Sequence, residues 1–229
     1  RRLLGEDRIE AMKRVILMIV LVIFPGCGGE TIEEPTDPIE AKIRSMVNLP
    51  KGELTATHYM KITGFSILSN DPFEKKVQDL SLLAKCTQLK QIRITGGKIQ
   101  DLSPLTGLTK LEVINMQNNQ ISALTPLAKL KNLRKLWIGK NKITDLSPLA
   151  ELTKLQELLI NDNKITDLSP LAGLTELNML FLSNNKCTDL SALMGLKKLK
   201  GIRLGLPNLP QAEVDKIRDA LPECNITGY

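Results

Sequence analysis

Aromatic side chains are scarce in this chain, at 3% of its 229 residues: four Phe, two Tyr and one Trp. Histidine occurs once and cysteine four times, so little material exists for a histidine-based catalytic centre or a four-ligand zinc site. His58 has neither a cysteine nor a second histidine at ligand spacing, which indicates a surface or capping residue. These shortages argue against an enzyme, and we expect neither a metal nor a cofactor.

A strong excess of one charge is also missing. The net charge is +6, charged residues make up 24% of the chain and hydrophobic residues 42%. This composition is typical of a folded protein rather than of a disordered or polytopic membrane protein. Because charges of both signs are interspersed and aromatics do not alternate with basic residues, we expect no nucleic-acid partner.

Long apolar runs are limited to one near the N-terminus. Met12 is followed by Lys13 and Arg14 and then by ten apolar residues, Val15–Phe24. A helix that spans a bilayer needs roughly 17–25 apolar residues, whereas a basic segment before a shorter apolar core is typical of a secretory signal peptide. We interpret residues 1–26 as an upstream extension and a signal peptide that starts at Met12. A buried helix and an interfacial anchor are the alternatives.

The residues after this run resemble the cleavage site of bacterial lipoproteins, in which a small residue precedes the cysteine that receives lipid. Gly26 and Cys27 match that pattern. Phe24 and Pro25 depart from it, because a branched aliphatic and a small residue are usual there. The resemblance implies export, lipid attachment at Cys27 and a membrane-anchored location on the bacterial envelope, either periplasmic or at the cell surface. An ordinary secreted protein and an uncleaved anchor are the alternatives.

Two segments follow the signal. Residues 27–38 are acidic, contain proline and have few apolar groups, which predicts a lipid-anchored tether. Over residues 39–61 we predict an N-terminal helical cap. The spacing of Ile39, Ile43, Met46 and Val47 indicates the apolar face of one amphipathic helix, and a second helical turn ends near Met60. A repeat array needs its open core covered at this position.

The chain then repeats itself every 22 residues. The units begin at Leu89, Leu111, Leu133, Leu155, Leu177 and Leu199. A degenerate earlier unit begins at Ile62 and carries five extra residues around 71–75 before the register resumes. In the unit that starts at Leu133, strand alternation predicts that Leu136 and Ile138 enter the core while Trp137 points outward.

The pattern L-x-x-L-x-L-x-x-N-x-I-x-x-L-x-x-L-x-x-L is that of a leucine-rich repeat, and we assign residues 62–209 to it. The unit length and the phrase Asp-Leu-Ser-Pro-Leu resemble the internalin-type subclass. The order of signal, cap and repeats resembles bacterial leucine-rich-repeat lipoproteins. The resemblance implies an α/β repeat solenoid, a leucine-rich-repeat horseshoe with parallel strands on the concave face, 3₁₀ turns on the convex face and helical caps.

Two recurring positions predict the turns of each unit. Asparagines at the ninth position are expected to form a ladder that satisfies turn backbone groups: Asn119, Asn141, Asn163 and Asn185. On the return side, four Ser-Pro or Thr-Pro pairs, the first at Ser103 and Pro104, indicate a cap followed by proline at the first helical position.

Residues 210–229 are predicted to form the C-terminal cap. Here an apolar face on one helix of about three turns is expected to close the last unit. The residues of that face are Ala212, Val214, Ile217, Ala220 and Leu221.

Strand residues that point outward form the candidate ligand-binding site. Counting the first leucine of a unit as position one, positions three, five and seven face away from the core. The candidate residues are Arg93, Asn115, Gln117, Lys135, Trp137, Glu157, Leu159, Asn161, Met179, Phe181 and Arg203. Trp137, Leu159 and Phe181 are expected to be neighbours in an apolar strip rimmed by polar groups, which is typical of an interaction site. Cross-strand packing without any partner is the alternative.

Two other patterns have structural interpretations. Lys142, Lys164 and Lys186 align at position ten beside Asp145, Asp167 and Asp189 at position thirteen, which indicates a solvated edge with compensating charges. Cys86 and Cys187 occupy core positions as small hydrophobic residues. The sequence leaves a Cys187–Cys224 disulfide open.

The resulting hypothesis is a monomeric, non-enzymatic interaction module on the bacterial envelope that binds a protein or peptide ligand at its concave face. Glycan or peptidoglycan binding is one alternative, in which Trp137 and Phe181 would stack on sugars. A purely structural envelope protein is another. If the export signal is not real, an intracellular repeat-type regulatory subunit is the further alternative.

Overall fold

A computed structural model describes residues 37–68 and 77–228 of the chain. The predicted signal peptide, Cys27 and almost all of the predicted tether lie outside the described residues. None of the helices within these two ranges has the length and apolar character needed to cross a membrane.

Helices flank the repeats. α1 spans Pro38–Met46, α2 spans Ala56–Met60 and α3 spans Gln211–Ala220. The carboxylate of Asp37 accepts the Ile39 N–H at 2.8 Å and caps α1, whose Ile39 and Ile43 side chains are fully buried. Met46, expected on the apolar face, is instead exposed, because it is the last residue of the helix and the chain reverses direction at Asn48.

The strands form one parallel sheet in which each strand pairs with the next along the chain. In chain order they are β1 Gly64–Ile67, β2 Gln91–Ile94, β3 Val113–Asn115, β4 Lys135–Trp137, β5 Glu157–Leu159, β6 Met179–Phe181, β7 Gly201–Arg203 and β8 Asn225–Thr227. Short 3₁₀ turns lie opposite them at Ser81–Lys85, Ser103–Leu105, Thr125–Leu127, Ser147–Leu149, Ser169–Leu171 and Ser191–Leu193. The predicted fold class, a repeat solenoid with parallel strands, 3₁₀ turns and helical caps, is confirmed.

The core is a set of leucine and isoleucine columns that run from unit to unit. Leu133, Leu136 and Ile138 are 0% exposed, as expected for the first, fourth and sixth positions of their unit. Phe65 extends the core into β1, and Tyr59 extends it into α2. Burying one such side chain contributes roughly 1.5–3 kcal/mol, so the columns provide the main stabilising contribution along the sheet.

The predicted asparagine ladder is present and joins successive units. The side-chain oxygen of Asn163 accepts the Ile143 backbone N–H at 3.0 Å. Its side-chain NH₂ group donates to the backbone carbonyl oxygens of Ile138 at 3.1 Å and Ile160 at 3.0 Å. These backbone groups lie in turns where no strand partner reaches them, so one buried side chain replaces the missing ladder bonds.

Five of the six described 3₁₀ turns are capped by aspartates, which corrects the prediction that serine or threonine is the cap; the turn Thr125–Leu127 has Ala123 in that place. Ser103 is the first residue of its turn and Pro104 the second, so serine has passed the capping position. The Asp101 carboxylate accepts the Ser103 N–H at 2.8 Å and the Ser103 hydroxyl at 2.6 Å. A side-chain oxygen two residues earlier in the chain reaches the free N–H at the start of the turn, which is the geometry of an Asx turn.

The same arrangement recurs along the array and changes the interpretation of the acidic column. Asp145, Asp167 and Asp189 accept the N–H groups of Ser147, Ser169 and Ser191 at 2.7–2.8 Å. Among the described residues, none of the three forms an ion pair with the neighbouring lysine column. These aspartates therefore stabilise turns.

The C-terminal cap contains a strand that the sequence pattern did not predict. After α3, Ile226 pairs in register with Ile202, so that β8 extends the sheet past β7. On α3 itself, Val214 and Ile217 are buried, but Ala212 is exposed and does not belong to the apolar face.

Candidate ligand-binding face

The outward residues at position five form one continuous row across the sheet. Each residue of the row pairs in register with the next: Ser66, Arg93, Asn115, Trp137, Leu159, Phe181, Arg203 and Thr227. Trp137, Leu159 and Phe181 are therefore adjacent, as predicted. The row gains Thr227, which sequence reasoning missed because β8 was not recognised.

A second row at position three runs beside the first. Lys135 pairs with Glu157 and Glu157 with Met179. The Lys135 ammonium lies 2.7 Å from the Glu157 carboxylate, with side chains 39% and 20% exposed. An exposed pair of this kind contributes about 0–1 kcal/mol to stability. Its main consequence is that these two opposite charges on the face satisfy each other.

The apolar strip is half-buried rather than fully exposed. Trp137, Leu159 and Phe181 each have intermediate exposure, whereas the neighbouring Met179 is 37% exposed. The indole N–H of Trp137 is buried and has no acceptor among the described residues. Side chains of the strip thus cover one another in part, and cross-strand packing accounts for some of their contacts.

The position-seven candidates, Gln117 and Asn161, lie just after the strands. The Asn161 amide donates to the Asp162 carboxylate at 2.6 Å, and its oxygen would be only 2.6 Å from a Cβ placed at Gly139. The backbone N–H of Gln117 donates to the Asn115 side-chain oxygen at 3.3 Å. The side chains of Asn161 and Asn115 thus already form hydrogen bonds with neighbouring residues of this chain.

Cations at position two were missed by the sequence analysis. Lys90, Arg134 and Lys200 directly precede β2, β4 and β7 and are exposed. In the described part of the chain, they and the predicted site residues Arg93 and Arg203 have no carboxylate within ion-pairing distance. Alignment of the units would have revealed these cations, although position two also holds Glu112, Gln156 and Asn178.

A concavity of about 410 Å³ opens at the β8 end of the face. It lies over Gly201, which occupies position three of its unit without a side chain, and Met179, Phe181 and Asn225 line it. A Cβ built at Gly201 would meet no atom within 4 Å. This space therefore results from a missing side chain in the position-three row. Gly64, at the other end of that row, also lacks a side chain, but there the Gln91 side chain lies 2.8 Å from where a Cβ would stand.

Reactive side chains are not assembled into a chemical site in the described ranges. Burial raises the pKa of the Cys86 and Cys187 thiols to about 11, so both are protonated at neutral pH. These two residues and Cys224 are free thiols, which does not support the disulfide that the sequence left open. His58 forms a capping box with Thr55 at the start of α2. No group of three or more potential metal ligands occurs within these ranges.

A family model described as Leucine Rich repeats (2 copies) matches residues 109–151 and 153–193. These segments are leucine-rich repeats. No curated protein matches the chain in sequence. Among solved structures, a Listeria monocytogenes internalin (inlF) is 29% identical with a TM-score of 0.67, over 75% of this chain and 50% of that one. Internalin C2 of the same species is 29% identical with a TM-score of 0.57, over 77% of this chain and 100% of that one.

This chain thus spans half the length of the first internalin. The comparisons agree with the solenoid of parallel strands and 3₁₀ turns described above. A leucine-rich-repeat, internalin-like fold is typically a protein–protein interaction scaffold and is generally not an enzyme.

Proposed function

We propose that this chain is a non-enzymatic binding module that recognises a protein or peptide ligand at its concave face, displayed on the bacterial envelope. The observation that carries the proposal is the registered row from Asn115 through Trp137, Leu159 and Phe181 to Arg203. Such a row places apolar and aromatic side chains at the centre and polar ones at the rim, which is the usual anatomy of a protein interface.

The core columns and turns explain why this face is free to specialise. Leucines, asparagines and aspartates hold the units together from inside or from the turns. Positions three and five contribute less to the fold, so their identities vary from Trp to Arg to Gly without disturbing the register. A rigid sheet with a variable outer surface is suited to recognition of an extended partner.

A crosslinking pull-down from the native envelope tests the binding role. We expect the wild-type chain to retain a partner that the double variant Trp137→Ser/Phe181→Ser loses, because the variant removes two central apolar anchors. Its thermal unfolding midpoint should stay close to that of the wild type. A matched control is Lys129→Ser, an exposed residue next to a 3₁₀ turn on the opposite side, which should retain the partner.

Two results would contradict this proposal. If the double variant loses several kcal/mol of stability, the strip is a packing feature of the sheet. If it retains the same partners as the wild type, the binding surface lies elsewhere. Capture of peptidoglycan fragments in place of protein would favour the glycan alternative.

Envelope display depends on the proposed lipid attachment at Cys27. Expressed in a bacterium fed radiolabelled palmitate, the wild-type chain should incorporate label and partition with membranes. Cys27→Ser should do neither, since no other residue of the cleavage pattern offers a thiol. Equal labelling of the two proteins would refute lipid attachment at this position.

A further inference from the structure

The gap over Gly201 is shaped by its neighbours on both sides. In the position-three row, Met179 lies on one flanking strand and Asn225 on the other. Two strand spacings separate these flanking side chains, or roughly 9–10 Å. Gly201 places nothing between them, so the space of about 410 Å³ opens directly onto the binding face.

The walls of this gap are mainly apolar. Met179 is 37% exposed, the largest exposed fraction among the apolar side chains of β3 to β7, and the half-buried ring of Phe181 lies beside it. Methionine adapts its shape to different apolar partners and contacts aromatic rings favourably. A concavity with a thioether and a ring at its wall suits one large apolar side chain of a ligand.

Cations flank the gap on the same strand. Lys200 immediately precedes Gly201 and also lines the concavity, while Arg203 is the outward residue two positions later. Both are exposed, and neither has a carboxylate partner within the described residues. Near the other end of the row Arg93 is likewise exposed and unpaired. Glu157, by contrast, is already paired with Lys135. The face therefore presents unpaired positive charge around an apolar centre.

We propose that the ligand of this face is an acidic polypeptide segment that inserts one large apolar side chain into the gap over Gly201 and pairs its carboxylates with Lys200 and Arg203. This inference rests on the proposed protein-binding function. Charge complementarity favours an acidic partner. A single-stranded nucleic acid also carries negative charge, but it requires aromatic faces on which successive bases stack. Among the described residues of the face, the aromatic side chains are Trp137 and Phe181, and Leu159 separates them.

Three synthetic dodecapeptides, measured by fluorescence anisotropy on the full chain, test the proposal. The first contains Asp, Glu, Gly and Ser around one central Phe, the second has Ala in place of Phe, and the third has Lys in place of every acid. We expect the first to bind at least tenfold more tightly than the second, and the third not to bind. Added salt should weaken binding of the first peptide, because the ion pairs lie at an exposed surface.

Gly201→Leu fills the gap from within and is expected to weaken binding of the Phe peptide at least tenfold. It should fold normally, since its Cβ meets no atom within 4 Å. Gly195→Leu is the matched control: that glycine also has open space around it but lies beyond the last 3₁₀ turn, and binding should not change. Met179→Ser, which alters the wall from the neighbouring strand, should also weaken binding, and Arg203→Glu should weaken both acidic peptides.

Equal affinities for the Phe and Ala peptides, or an unchanged affinity of Gly201→Leu, would overturn the proposal. Tighter binding of a dodecameric single-stranded oligonucleotide than of the Phe peptide would overturn it in favour of nucleic acid. The proposed protein-binding function is tested independently of this inference. If an envelope partner depends on Trp137 and Phe181 but is indifferent to Gly201→Leu, protein binding stands and the acidic-anchor inference falls.

Discussion

At the residue scale, the turn after a strand requires a left-handed backbone conformation at position eight, and the steric cost of that conformation differs between the residues found there. Position eight has a positive φ in five consecutive units, at Gly96, Asn118, Lys140, Asp162 and Asn184. Glycine adopts this conformation without steric cost, and Asn or Asp tolerates it better than other side chains. Lys140, with a φ of 57°, is the poorest fit of the five. The column of Gly, Asn and Asp was visible in the sequence as a signal for this turn.

Lys140→Asn should therefore stabilise the protein, by about 0.5–1 kcal/mol, because it lowers the cost of the left-handed conformation. Urea unfolding followed by circular dichroism provides the measurement. Lys164→Asn, an exposed residue without a positive φ, removes the same charge and should give no gain. Equal effects of the two substitutions would attribute the change to charge rather than to backbone conformation.

At the element scale, five of the six described 3₁₀ turns depend on the aspartate that precedes them, whereas the turn Thr125–Leu127 has Ala123 at that position. The hydrogen bonds from Ser103 to the Asp101 carboxylate hold the pKa of Asp101 below its usual value. In the unfolded chain this carboxylate titrates near about pH 3.9. The folded pKa is the lower one, so the stabilisation is complete above about pH 5, begins to fall near the unfolded pKa and is lost as the pH falls through the folded pKa. Asp79, Asp145 and Asp189 follow the same rule with their own serines.

Asp101→Asn tests this account, because asparagine accepts the same N–H but does not titrate. We expect a lower unfolding free energy than the wild type at pH 7, because the neutral amide lacks the charge-assisted bonds to Ser103, and a smaller loss of stability than the wild type between about pH 5 and pH 2. Urea unfolding at each pH gives both values. Asp101→Ala should be less stable still at pH 7, since it has no acceptor. Parallel pH profiles for the wild type and Asp101→Asn would contradict the proposed linkage.

At the scale of the whole molecule, neighbouring units stabilise one another and the terminal elements close the core. α3 covers the last unit through the buried side chains of Val214 and Ile217. Glu213 attaches this helix to the preceding turn by accepting the Leu190 N–H at 3.2 Å. In a repeat array each unit contacts mainly its neighbours, so damage at one end is transmitted unit by unit.

Ile217→Ser should consequently destabilise the C-terminal end most. The change removes a fully buried apolar side chain, at a cost of about 3 kcal/mol. Hydrogen exchange measured by mass spectrometry should show faster exchange in β7 and β8 while β2 and β3 stay protected. Ala212→Ser, exposed on the same helix, is the control and should leave exchange unchanged. Uniform loss of protection along all strands would instead indicate a single cooperative unit.

The repeated part of this protein was predictable from its amino-acid sequence. A period of 22 residues places every leucine of one unit over the same leucine of the next, so the core columns, the asparagine ladder and the outward row to Arg203 were predictable. Each of these features recurs in successive units, and this recurrence allows the pattern to be recognised from the sequence alone. The resemblance to internalins rests on the same repeated residues.

The features that occur once depend on contacts between residues that are distant in the sequence. β8 has three residues and no periodic signal, and it forms because the free edge of β7 supplies its hydrogen-bond partners. The concavity over Gly201 depends on Met179 and Asn225, which are 22 and 24 residues away in the chain but lie on the two neighbouring strands of the sheet. A side chain's exposure is set by such neighbours in space, and pairing between strands brings those neighbours together.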